Sequence, residues 1–248
     1  MIADSGPVFS RLTIDSIFRA LSRGWRMFLI TRQLSVTYAM IFALVGVLIL
    51  FSIVRASFAP MIFPLAGGFM LLGPVLLTGF FALADSVALK KTCGFSDIVD
   101  GFSRASRGLL VITLVCTLLF MIWVTDVATL YGFTVGRVPV SLLVFFSPSE
   151  NILFFLIWSS LLGAVLAFVI FSISAFSVPL LYYRRAGLVQ AVVLSVTAVF
   201  ANFVASCLWA LILAVSIIGS ILIFPLFLLT FPVLAFASHS LYRELFPE

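Results

Sequence analysis

All but two of the fourteen Lys and Arg residues fall on one side of a series of long apolar runs. Arg11, Arg19, Arg23, Arg26 and Arg32 precede the first run. Lys90, Lys91, Arg104 and Arg107 lie between the second and third, Arg184 and Arg185 follow the fourth, and Arg243 follows the last. Only Arg55 and Arg137 fall on the opposite side. A chain patterned in this way has lipid as its main solvent, and its positive charges set its orientation.

Composition agrees. The chain is 64% hydrophobic and 9% charged, against roughly 25% charged for a soluble domain. Too little polar surface exists to cover a water-facing sphere. The net charge of +5 is therefore read as topology and headgroup contact, with no nucleic acid as partner. Cys93, Cys116 and Cys207 show no C-x-x-C spacing and read as free thiols. The first apolar run is of span length and follows five arginines, so the N-terminal region is expected to stay as an anchor.

The expected fold is an all-α membrane protein, one polytopic domain over residues 1–248. Six transmembrane helices are expected at 34–54, 68–89, 109–132, 151–181, 203–218 and 221–242. The forty-residue run from Phe203 to Tyr242 is twice a span and should turn near Gly219-Ser220. Gly73-Pro74 should kink the second span. Interfacial or connecting helices are expected at 12–29, 96–108 and 188–202. In the first, Ile14, Ile17, Phe18, Leu21, Trp25 and Phe28 recur at helical spacing, with Arg19, Arg23 and Arg26 between them. Thr13 and Ser96 are the expected caps of the first two. Six spans place both termini on the basic, cytoplasmic side of a bacterial inner membrane.

The connecting helices resemble one another. Ala20-Leu21-Ser22-Arg23 aligns with Gly101-Phe102-Ser103-Arg104 and, more weakly, with Ser195-Val196-Thr197-Ala198. Each leads into a hairpin whose second helix contains proline. The chain thus reads as three parallel hairpin repeats, each preceded by a cytoplasmic-side amphipathic helix.

Chemistry is sparse. No P-loop, dinucleotide fingerprint, nucleophile elbow or H-E-x-x-H is present, so no catalytic residue, cofactor or metal ligand is assigned. The candidate intramembrane polar contacts are Asp85, Asp126, Asn202 and His239. Chance interfacial placement is the plainer reading for both aspartates. A hydrogen-bonding role is the plainer one for Asn202 and for His239, the sole histidine. Arg19, Arg23, Arg26, Arg184 and Arg185 are the expected lipid-headgroup contacts.

Ala20–Arg26, the run Gly67-Gly68-Phe69-Met70-Leu71-Leu72-Gly73-Pro74, Phe176–Leu180 and the tail Leu241-Tyr242-Arg243-Glu244-Leu245 resemble the DUF2189 family of bacterial integral membrane proteins. The chain departs from the family pattern at Ala82, where a Glu is common, and at His239-Ser240, where Trp-His is common. The family implies no established activity. Some members carry a label as cytochrome c oxidase subunits, which implies association with a respiratory complex. One histidine cannot supply two axial haem ligands together with a copper site. The expectation is a non-catalytic accessory or assembly subunit whose partners are membrane lipids and other integral membrane subunits, or further copies of the chain. A transporter or channel of three hairpins is the first alternative, and a lipid-interacting, membrane-organising protein is the second.

Overall fold

The computed structural model describes residues 9–55, 73–136 and 149–247, and every regular element among them is a helix. In chain order these are α1 (Ile14–Ile30), α2 (Arg32–Arg55), α3 (Gly73–Ala88), α4 (Phe95–Ser103), α5 (Arg107–Thr134), α6 (Glu150–Ser174), α7 (Ser177–Tyr182), α8 (Leu188–Ala201), α9 (Phe203–Leu222) and α10 (Phe224–Leu245). Residues 56–72, with most of the Gly67–Pro74 motif, and residues 137–148, with Arg137, lie outside the described residues. So does the chain before Gly73 that a Gly73-Pro74 kink would bend.

Four segments are long and apolar enough to cross a membrane: Arg107–Thr134, Glu150–Tyr182, Phe203–Ser220 and Pro225–Leu245. A fifth is reached if α1 and the start of α2 count as one broken span, bent by 99°. The chain is thus an all-helical membrane protein with four to five apolar candidate spans among the described residues.

Local chemistry explains the helix ends. Thr13 caps α1, its side chain accepting from the Ser16 N–H. The cap of α4 is Gly94 rather than Ser96: Asp97, at the third helical position, accepts from the Gly94 N–H at 2.7 Å. Ser106 caps α5 by accepting from Leu109 N–H, so the expected 96–108 helix is cut at residues 104–106. The last hairpin breaks at Ile223, beyond Gly219-Ser220. The Ile223 N–H bonds back to the Ser220 carbonyl, and Pro225 opens α10 where its missing N–H leaves no bond unmade. Along α5, the hydroxyls of Thr113, Thr117, Thr125, Thr129 and Thr134 each donate to the carbonyl four residues back. None of these five hydroxyl protons is then presented to lipid.

The connecting helices pack back along neighbours. α1 runs antiparallel to α10, α4 to α3, and α8 to the α6–α7 pair. Each close approach is made at a small residue. A Cβ on Gly24 would lie 2.5 Å from the Val233 carbonyl oxygen and 2.8 Å from Ala237 N. On Gly101 it would lie 2.6 Å from the Thr78 carbonyl oxygen and 2.9 Å from the Ala82 methyl. At the third contact, Ser195 Oγ donates to the Ser172 carbonyl at 2.8 Å and accepts from Phe176 N–H at 3.2 Å. Each small residue therefore faces a pair of positions four apart: Val233 and Ala237, Thr78 and Ala82, Ser172 and Phe176. The residue of α1 that matches Gly101 is Gly24, one turn beyond the Ala20 of the sequence alignment. Backbone approach selects for the absent side chain, not for the surrounding pattern.

Two turns are also alike. α3 ends with Lys90 at φ +54°, its N–H bonded to the Val87 carbonyl and the Lys91 N–H to that of Ser86. α7 ends with Arg184 at φ +54°, its N–H bonded to the Leu181 carbonyl and the Arg185 N–H to that of Leu180. Both are Schellman ends. Every member of one turn is ninety-four residues from its counterpart, as are Thr78 from Ser172 and Gly101 from Ser195.

At the centre, α10 touches α1, α2, α3 and α9. Its apolar window is 61% buried, against 17% for those of α5 and of the α6–α7 pair. Aromatic rings fill the interior. Phe80 lies 4.9 Å from Tyr38 and 5.4 Å from both Phe231 and Phe236. Phe42 lies 6.2 Å from Phe231. Edge-on pairs of this kind contribute about 0.5–1.5 kcal/mol each beyond burial. The Tyr38 hydroxyl meets its own need by donating to the Leu76 carbonyl at 2.9 Å.

Candidate functional site: a polar cluster where three helix ends meet

Below the aromatic core, the ends of α3, α7 and α10 converge. Late in α3, Asp85 projects from the last turn before the Lys90 reversal. The α7 turn presents Tyr183, just before its own reversal at Arg184. α10 supplies His239 and, one turn on, Arg243, so that both share a face.

These side chains form one cluster. The Tyr183 hydroxyl donates to Asp85 Oδ1 at 2.9 Å and lies 2.8 Å from His239 Nε2. The hydroxyl has one proton and the carboxylate only accepts, so His239 is the donor to Tyr183 through an Nε2–H tautomer. Asp85 Oδ1 is 3.9 Å from both His239 Nε2 and an Arg243 guanidinium nitrogen. The Arg243 guanidinium stands 5.7 Å over the Tyr183 ring, which stacks at 3° on Tyr242 with centroids 5.7 Å apart. Phe81 seals the inner side, 5.4 Å from the imidazole. Burial, followed by the Asp85 charge and hydrogen bond, pushes the Tyr183 phenol above its ordinary value. It therefore stays a proton donor at neutral pH.

The structure unites Asp85 and His239 and separates the other candidates from them. Asn202 is buried at the α8–α9 junction. Its Oδ1 accepts from Leu12 N–H at 2.8 Å and its Nδ2 donates to the Ala198 carbonyl at 2.9 Å. It ties down the segment before α1, which also bonds through Ser10 N–H to the Leu245 carbonyl. Asp126 is exposed on α5, remote from the cluster.

The arginines divide similarly. Arg19 and Arg23 both pair with Glu244 of α10, so protein takes at least part of the role expected of headgroups. Arg185 donates to the Phe246 and Pro247 carbonyls at 2.7 and 2.8 Å. Arg26 and Arg184 are exposed. Tyr183 and Arg243 were not legible as site residues. The first reads as part of an interfacial Tyr-Tyr-Arg-Arg anchor, and the second as a topology charge. Among the described residues, no three His, Cys, Asp or Glu side chains converge as a metal site would require.

Beside the cluster is a cavity of about 190 Å³ lined by Tyr183, Arg185, Tyr242 and Arg243. It lies on the face that carries Phe9, Ser10 and the C-terminal residues, since Phe9 packs on Phe246 at 6.2 Å.

No curated protein and no solved structure matches the chain. A family model does: that of DUF2189, described as a predicted integral membrane protein, over residues 62–182. The matched stretch contains Asp85, ends one residue before Tyr183, and leaves out α1 and α10. The resemblance first visible in the Gly-Pro run holds there: residues 62–182 match the model of the DUF2189 family of predicted integral membrane proteins.

Proposed function

We propose that the chain is a six-span, non-catalytic protein of a bacterial inner membrane, with both termini cytoplasmic, that serves as an accessory or assembly subunit of a larger membrane complex. The described part of α2, which is apolar and precedes Arg55, and the apolar stretch of α3 supply the two further spans. Three hairpin repeats account for the matched Schellman ends and for the three small-residue contacts. In that arrangement each amphipathic helix packs on the second helix of the preceding copy, and α1 closes the ring on α10.

One observation carries the subunit reading: Asp126 sits on the exposed side of the hairpin formed by α5 and α6. A helix of 28 residues is about 42 Å long against roughly 30 Å of hydrocarbon. Centred and upright, it holds Asp126 roughly 6 Å inside the apolar layer. Among the described residues, Asp126 has no cation or hydrogen-bond donor. A carboxylate in that position is costly in lipid and is satisfied by a polar group on a neighbouring subunit.

The test is a mild-detergent pull-down of tagged native protein, wild type beside Asp126→Leu, with co-purifying chains identified by mass spectrometry. Stoichiometric recovery of a membrane partner that Asp126→Leu loses is the expected result. Recovery of wild type alone, or only as a homo-oligomer, overturns the reading.

A transporter is the second reading, favoured by the Asp85–Tyr183–His239 relay at the meeting point of three helices. Against it stand Phe80, Phe231 and Phe236, buried and packed edge-on between α3 and α10. Flux through proteoliposomes that Asp85→Asn abolishes, with the fold retained, would establish it in place of the first.

A further inference from the structure

We propose that the cavity lined by Tyr183, Arg185, Tyr242 and Arg243 is a binding site for a phosphate group, carried by a lipid headgroup or free in solution. This goes beyond the subunit reading and stands independently of it. Two guanidiniums line one cavity of about 190 Å³. Arg185 is already oriented: its two terminal nitrogens are fixed by successive backbone carbonyls, Phe246 and Pro247. Those acceptors are neutral, so they aim the group without cancelling its charge. Three of its five N–H donors remain beyond those two bonds.

Arg243 is steadied from a second direction by the face of Tyr183. The parallel Tyr183–Tyr242 pair gives the cavity a flat, stiff wall. Paired guanidiniums held in fixed geometry are the arrangement that recognises tetrahedral oxyanions by forked hydrogen bonds.

Location adds to this. The cavity lies at the ends of α7 and α10, both of which belong to candidate spans, with exposed Arg184 next in sequence to two of its lining residues. That is where a bilayer places its phosphates, and where basic pockets between helices take anionic headgroups.

The experiment uses the full chain in phosphatidylcholine nanodiscs, with and without phosphatidylglycerol. Bound lipid is counted by native mass spectrometry, and inorganic phosphate is titrated calorimetrically. Variants are Arg185→Gln, Arg243→Lys (which keeps a cation near Asp85) and Arg184→Gln as the control for general surface charge. Size exclusion and tryptophan fluorescence report folding. The expected result is retention of phosphatidylglycerol or binding of phosphate by wild type, at least tenfold weaker in Arg185→Gln and Arg243→Lys and within twofold in Arg184→Gln. Lipid retention alone assigns the headgroup as the source, and phosphate binding alone assigns the free ion. Should Arg185→Gln fail to fold, Arg243→Lys decides. The proposal is overturned if wild type binds neither probe, if the lining variants bind as wild type does, or if Arg184→Gln weakens binding as much as they do.

Discussion

The Tyr183 hydroxyl donates to Asp85 Oδ1 at 2.9 Å across 98 positions of sequence, and so joins the end of α7 to the end of α3. Tyr183→Phe removes one donor to Asp85 and the acceptor of His239 Nε2 in a place largely closed to water. The expected cost is roughly 1–3 kcal/mol. It would be read as a lower unfolding midpoint in mild detergent, followed by tryptophan fluorescence. Asp85→Asn keeps an acceptor oxygen and should cost less. Equal midpoints for wild type and Tyr183→Phe would show that the cluster does not hold the helix ends together.

The same phenol gives a pH prediction with a definite sign. Its ionisation lies above the ordinary 10.0, raised by burial and by Asp85. A group whose folded value is raised contributes stability that is present below its unfolded value and lost only as pH climbs through the folded one. Tyr183 therefore adds no pH dependence near neutrality. In folded protein, the tyrosinate absorbance of wild type and of Tyr183→Phe should coincide up to about pH 10. Excess tyrosinate in wild type below that pH would mean that the phenol is neither buried nor facing a carboxylate.

How much of this could be read from sequence depends on whether a residue announces itself locally. Asp85 and His239 stand out because ionisable groups are rare in apolar runs. Asp126 stands out equally, yet the first two meet and the third faces outward, because the difference lies in which helix packs opposite. Tyr183 and Arg243 carry an ordinary interfacial signal that hides their partners. The sequence alignment sets Ala20 against Gly101, while the backbone approach made at Gly101 has its counterpart at Gly24: both residues fit an amphipathic pattern, and only the approach of the Val233 backbone distinguishes them. Helix count and charge asymmetry are local or summed properties. Convergence of α3, α7 and α10 is neither.

Glycine substitutions test the packing directly. At Gly24 and Gly101 a Cβ would meet backbone carbonyl oxygens at 2.5 and 2.6 Å, and backbone cannot step aside as a side chain can. Gly24→Ala and Gly101→Ala should each cost about 1–3 kcal/mol, measured as the loss of folded monomer on size exclusion after mild heating. Gly46→Ala and Gly132→Ala, where nothing lies within 4 Å, serve as controls and should behave as wild type. If all four behave alike, α1 and α4 do not pack against α10 and α3 as described.

Lys90 and Arg184 hold the left-handed position of matched Schellman ends. A side chain in that conformation is strained by roughly 1 kcal/mol, and glycine is not. Lys90→Gly and Arg184→Gly should therefore each stabilise the protein by a similar amount, up to about 1 kcal/mol, with Lys91 and Arg185 left to hold orientation. Thermal midpoints in one detergent decide the matter. A rise at one site and a fall at the other would break the equivalence between the two turns on which the repeat reading draws.

Cys93 reports which way the bundle faces. It lies between the Lys90 reversal and α4, partly buried, with its Sγ 3.9 Å from the Lys91 carbonyl. Burial first, and then the charge of Asp97, pushes its thiol above the ordinary value, so the reactive thiolate is scarce at neutral pH. A membrane-impermeant maleimide should label it in inside-out vesicles, more slowly than free cysteine at about pH 7, and faster as pH rises. Cys116 is fully buried in α5 and should stay unlabelled until detergent denatures the protein. In right-side-out vesicles Cys93 should be protected. Rapid labelling from that side would invert the topology, placing Arg19, Lys90 and Arg185 outside and removing the electrostatic argument for both termini being cytoplasmic.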